Sequence, residues 1–342
     1  MINKMNIEKF LYLFLLMLTF SCVSYGYDNS GRKVEGEVVE GELNGDGKRY
    51  YRMGYLEEEG NFKDGKLNGN GKTYYGEIID ISAWGRLKEE GNFKDGKLNG
   101  NGRIYHFNGY LKEEGNFKDG KLNGNGRIYH DNGRLEVEGT FNDGKLEGKA
   151  IVYYDNGQVA TEGTFKDGIL YGKGKSYLKD GRLYAEGTFV DGKLNGEGII
   201  SRPLFLNVND LFGDGDKRVF EKGIFKNGEL EGKSKSYHDN GQVFRDGTFI
   251  DGKLEGKGIV YYDNGQKYEE GTFNSGWLHG KGKKYYDNGK IHEKGTFKYG
   301  KLDGKGKSYY YNGKVKAEGI FEGGDLKRGE YIHPDGKVDT YR

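Results

Sequence analysis

Glutamates stand immediately before a glycine at matching places along the chain, among them Glu90, Glu114, Glu138, Glu162, Glu186 and Glu270. Carboxylates in a row could serve general acid–base catalysis or hold a hard cation. These recur singly, beside Lys and Arg, and read as a charge ladder facing water. His106, His130 and His238 share one slot of a repeating phrase. On strand geometry neighbouring copies lie about 10 Å apart, too far to share a metal ion with ligands at about 2 Å. "GKT" at Gly71 and "GKS" at Gly174, Gly232 and Gly306 echo a phosphate loop. They lack its earlier glycine and fall inside strands instead of opening helices. "GDGDK" from Gly213 breaks the spacing of a calcium-binding EF-hand, and no Ser-His-Asp grouping stands out. The sequence therefore predicts no catalytic residues, no metal site and no cofactor.

What these residues share is a repeat. Opening glycines fall at Gly36, Gly60, Gly91, Gly115, Gly139, Gly163, Gly187, Gly223, Gly247, Gly271, Gly295 and Gly319, spaced by 24 residues except for 31 after Gly60 and 36 after Gly187. The shared phrase is E-G-x-F-x-x-G-x-L-x-G-x-G-x-x-Y-Y-D-N-G-x-L. "DNG", as at Asp131–Gly133 and Asp155–Gly157, predicts a three-residue hairpin loop, because Asn and Gly accept left-handed backbone angles. That loop sets Tyr153 opposite Val159, and counting by twos puts Tyr153, Val159, Gly163 and Phe165 on one face. "DGKLNG" (Asp119–Gly124) reads as the second reversal, with Leu122 as a plug under the neighbouring hairpin. Glycines such as Gly115 and Gly139 read as a floor for an aromatic ring from the next strand.

One such hairpin cannot stand alone. Burying a Phe, a Tyr and a Leu gains about 1.5–3 kcal/mol each, while ordering the backbone costs about 1–2 kcal/mol per residue. Stability must come from stacking on neighbours. The fold expected is all-β: a single-layer, elongated antiparallel solenoid of about twelve 24-residue hairpins, preceded by a signal-peptide helix.

Composition agrees. Apolar residues make up 34% of the chain, too few for a thick core, yet 28 Tyr and 19 Phe fall at fixed intervals, which argues against disorder. Lys and Arg number 54 against 53 Asp and Glu, with no basic face evident, which excludes nucleic acid as the expected partner. Lys4 and Lys9 precede an unbroken apolar run, Phe10–Leu18, with the form of a secretory signal peptide in residues 1–26. Cys22, the only cysteine, follows in "LTFSC". Its placement resembles a bacterial lipobox and makes Cys22 a candidate lipidated N-terminus and membrane anchor; cleavage after Gly26 is the alternative.

The phrase G-x-F-x-x-G-x-L-x-G-x-G-x-x-Y resembles the MORN repeat, and the "YYDNG" and "DGKLxG" wording is most similar to its bacterial variant, often labelled an antitoxin component. The resemblance runs from Gly36 nearly to the C-terminus. It implies a sheet of hairpins without a catalytic centre, serving as a scaffold or interaction surface, with lipid binding proposed for some members. The antitoxin label implies a cytoplasmic protein, and the leader argues against it.

The repeat array, residues 27–342, is interrupted at 76–85 and at 199–220 and ends in a cap at 329–342. The first insertion adds Ile78, Ile79, Ile81 and Trp84; the second adds Leu204, Phe205, Leu206, Leu211 and Phe212. They read either as partner contacts or as covers folded over the sheet. The leading expectation is an exported, non-catalytic scaffold that binds another protein at the bacterial cell envelope or surface, as a lipoprotein or a secreted or periplasmic protein. The alternative is a glycan- or phospholipid-binding module using an aromatic ladder of Tyr105, Tyr129, Tyr153, Tyr177, Tyr237, Tyr261, Tyr285 and Tyr309; a cytoplasmic antitoxin-like partner is a second alternative.

Overall fold

The computed structural model describes residues 25–76, 83–203 and 218–342. Within them the chain is all-β, with 26 strands and no α-helix. Each repeat contributes two strands, with Tyr25–Tyr27 added before the first and Val338–Tyr341 after the last. The leader through Ser24, with Cys22, lies outside the described residues, as do Ile78, Ile79, Ile81, Leu204, Phe205, Leu206, Leu211 and Phe212. The strands divide between two compact units, Met1–Glu147 with Asp155–Gly157, and Gly148–Tyr154 with Gln158–Arg342. Within each unit, successive strands pair antiparallel, as in Leu111–Lys118 with Lys121–Tyr129, or Lys267–Asn274 with Trp277–Tyr285.

The two turns of a repeat differ in kind. In the first, Asp119 and Gly120 both take positive φ, 52° and 82°, between the paired Lys118 and Lys121. That is a type I′ turn, whose twist matches the flanking strands. The reversal is thus two residues long, and Lys121–Gly124 already belongs to the next strand, a shorter turn than the six-residue phrase suggests. In the second, Gly133 N–H donates to His130 O at 2.9 Å and His130 N–H to Arg134 O at 2.8 Å. Gly133 sits at φ 81°, so the three-residue loop forms as expected.

Tyr153 does lie opposite Val159, but Val152 pairs with Thr161, leaving Ala160 extra. This bulge recurs after the tyrosine in repeat after repeat, for instance between Leu135 and Val137. Two residues against one reverses which way the following side chains point. Tyrosine and phenylalanine therefore sit on opposite faces, and the expectation that they share one is corrected.

On the apolar face phenylalanine pairs with leucine, as in Phe273 with Leu278 and Phe297 with Leu302, all nearly inaccessible. Beside them glycine faces glycine: Gly115 pairs with Gly126 on one side and Gly102 on the other. A Cβ on Gly126 would lie 2.8 Å from Leu122 Cδ2. The floor thus carries the leucine of its own strand, and at Gly258 the expected ring from the next strand joins it, with Phe273 Cδ2 3.4 Å from where a Cβ would stand.

The repeats are fastened at both turns. Gly120 N–H donates to Leu98 O of the preceding repeat at 2.9 Å, and Gly300 N–H to Leu278 O likewise. At the other edge the side chain of Asn108 donates to Asp131 O, and that of Asn264 to Asp287 O.

Candidate interaction surfaces

The paired tyrosines of each repeat do two different jobs. The first ring lies on the polar face and donates its hydroxyl to the repeat's glutamate: Tyr105 to Glu90 at 2.6 Å, Tyr129 to Glu114 at 2.7 Å, Tyr177 to Glu162 at 2.7 Å and Tyr285 to Glu270 at 2.7 Å. Burial, then the carboxylate, push the Tyr105 hydroxyl up to about 12. Conversely, the Tyr129 hydroxyl is the largest influence holding the Glu114 carboxyl below its ordinary value. The glutamates also form the expected charge ladder, with Arg103 lying 3.5 Å from both Glu90 and Glu114. Of the remaining ladder positions, Tyr153, Tyr237, Tyr261 and Tyr309 are half-buried like the others.

The second residue of the pair reaches the next repeat. Tyr75 donates to Tyr105 O at 2.6 Å, Tyr154 to Tyr177 O at 2.7 Å, Tyr262 to Tyr285 O at 2.9 Å and Tyr286 to Tyr309 O at 2.7 Å. His106 and His238 occupy this position too, and their Nε2 atoms lie 3.1 Å from Tyr129 O and Tyr261 O. The histidines stand in for tyrosine as a ring-borne donor. Sequence reading missed this staple, although its signal was present: the slot holds Tyr or His in most repeats. Among the described residues no group of three His, Cys, Asp or Glu side chains converges as a metal ion would require, and no helix is long and apolar enough to cross a membrane.

The first insertion begins and ends at a hairpin tip. Tyr75 N–H donates to Arg86 O and Gly85 N–H to Tyr75 O, both at 2.8 Å, the same closure as the short turns. Trp84, its one described candidate, is half-buried and meets Tyr55 edge-on with ring centroids 5.5 Å apart. The neighbouring tips carry further apolar groups. Met53, Tyr55, Phe107 and Tyr110 are 44–66% exposed, and Tyr110 lies against Gly133 of the next turn. These were not singled out from sequence, although "RMGY" and "FNGY" replace "DNGR" there. The second insertion interrupts a longer hairpin, in which pairing between Lys193–Pro203 and Arg218–Lys226 continues to Pro203 and Arg218.

A hairpin array whose turns and second tyrosines tie each repeat to the next has the build of a repeat scaffold. Family models agree: the MORN repeat matches residues 59–76, 90–109, 114–134, 162–181 and 186–203, and the MORN repeat variant matches 146–167, 230–251, 254–275, 278–299 and 302–322. The chain belongs to the MORN repeat family. MORN repeats are a non-enzymatic repeat type and commonly act as protein- or lipid-binding scaffolds. Among curated proteins no match was found.

Proposed function

We propose that this MORN repeat protein is an exported, non-catalytic scaffold that binds another protein at the bacterial cell envelope or surface, through the hairpin-tip edge of its first unit. The supporting observation is the run of exposed Met53, Tyr55, Phe107 and Tyr110 flanking the insertion at 76–85. Grouped exposed apolar side chains favour association with an apolar partner surface. Export rests on the basic and apolar leader, and anchoring on Cys22 as a lipidation site.

The test replaces Met53, Tyr55, Phe107 and Tyr110 with Ser and measures capture of envelope proteins by crosslinking in the native host. Loss of a discrete crosslinked partner, with the circular dichroism of the sheet kept, is the expected result. An unchanged partner would refute the edge as the binding surface. Mass spectrometry of the mature N-terminus tests the location: a diacylglyceryl Cys22 or a free Tyr27 supports export, and an intact Met1 refutes it. The glycan- or phospholipid-binding alternative is weakened by the ladder's hydroxyls, at least four of which are already bonded within their own repeats.

A further inference from the structure

The polar face of the second unit contains one rung where the charge pattern inverts. Elsewhere the residue before the opening glycine is mostly acidic and is flanked across the sheet by cations, as Glu114 is by Arg103 and Arg127. In the Gly295 repeat that residue is Lys294, and its direct partners on the two adjoining strands are Lys283 and Lys307. Three ammonium groups thus stand side by side on three successive strands. Like charges directly opposite destabilise a sheet, so folding gives no reason for this arrangement.

The same site gathers further donors. Lys281 and Lys305 lie two residues before Lys283 and Lys307 in their strands, on the same face, and are exposed. The half-buried Tyr309 occupies the ladder position whose hydroxyl elsewhere meets a glutamate, but its repeat supplies Lys294 instead. Carboxylates are confined to the flanks, where Glu270 pairs with Lys283 and Glu318 binds Lys307. Lys222 is the other substitution of this kind, but its partners are Ile199 and Lys235, so two lysines stand side by side there and not three. Among the described residues, the Lys294 rung is the one place where the residue before the opening glycine and both of its cross-strand partners are lysines.

We infer that the Lys294 rung binds the acidic groups of a linear acidic polysaccharide. Charge complementarity asks for an anion. The cations then recur at the same register, Lys233, Lys257, Lys281, Lys305 and Arg328, one per repeat and about 10 Å apart. A regular open row suits an extended chain with recurring charges, where a single small anion would call for an enclosed pocket. Trp277 shares a strand with Lys281; the residue is 56% exposed, lies beside Gly300 of the next turn, and offers a platform for a sugar.

The test is fluorescence titration of the full chain carrying Trp84→Phe, which leaves Trp277 as the only tryptophan. Oligogalacturonate and heparin oligosaccharides are the probes, with phosphatidylglycerol vesicles and inorganic phosphate alongside. Salt-sensitive binding of an oligosaccharide is expected, weakened at least tenfold by Lys294→Glu and by the pair Lys281→Glu and Lys305→Glu. Lys97→Glu, in the first unit, should leave it unchanged. Lys294→Glu restores the residue that most repeats carry, so its thermal midpoint should not fall. Failure of both oligosaccharides to bind would overturn the inference, as would binding indifferent to Lys294→Glu, binding equally weakened by Lys97→Glu, or binding confined to vesicles or free phosphate.

Discussion

Substituting alanine for Gly115 should loosen the sheet far more than the same change at its cross-strand partner, Gly126. At Gly115 the new Cβ would stand 2.4 Å from Asn125 O and 2.6 Å from Gly126 Cα, both backbone atoms, and φ is 146°. Neither atom can withdraw without parting the two strands. Backbone strain of about 1–3 kcal/mol combines with one or two weakened ladder bonds at about 0.5–1.5 kcal/mol each, for a total of about 1.5–6 kcal/mol. At Gly126 φ is ordinary and the nearest atom is Leu122 Cδ2 at 2.8 Å, a side-chain end that can shift. Ala150 and Ser234, both buried, occupy the equivalent slot in other repeats, and a cost of about 1 kcal/mol is expected. Because a repeat array opens locally, the assay is amide hydrogen exchange across Glu113–Phe117 and Leu122–Tyr129. Gly115→Ala should lower protection at least about tenfold. Equal or greater loosening by Gly126→Ala would refute the reasoning.

Tyr129→Phe should cost about 1 kcal/mol by removing the bond to Glu114, read by the same exchange. Because the folded state holds Glu114 below its ordinary range, its contribution is present above the unfolded pKa and is lost as pH falls through the folded value; the variant should show a flatter acid limb. Tyr262→Phe should lose about 1 kcal/mol of cohesion with the next repeat, whereas Tyr262→His should retain most of it, as His238 does at the same position; equal losses in chemical denaturation would count against the staple. Arg245→Met should cost about 3 kcal/mol, because it leaves Glu221, whose side chain is 5% exposed and lies 3.0 Å from Arg245, without that partner; an unshifted denaturation midpoint would contradict this.

Sequence alone determined the repeat, its unit length, the hairpins and the three-residue loop, because each rests on local chemistry: Asn and Gly at left-handed angles, and a hydrophobic period that recurs. It also exposed the two breaks, since a strict 24-residue phrase makes any insertion visible. Three features needed the tertiary structure. The bulge at Ala160 set the tyrosines on the face opposite phenylalanine, and a bulge depends on register against a neighbouring strand, which no single strand encodes. The staple from Tyr262 to Tyr285 O joins residues 23 apart, and its acceptor is a backbone carbonyl with no letter of its own. The Lys294 rung is an ordinary lysine in the chain; it becomes a concentration of charge only when Lys283 and Lys307 arrive on either side.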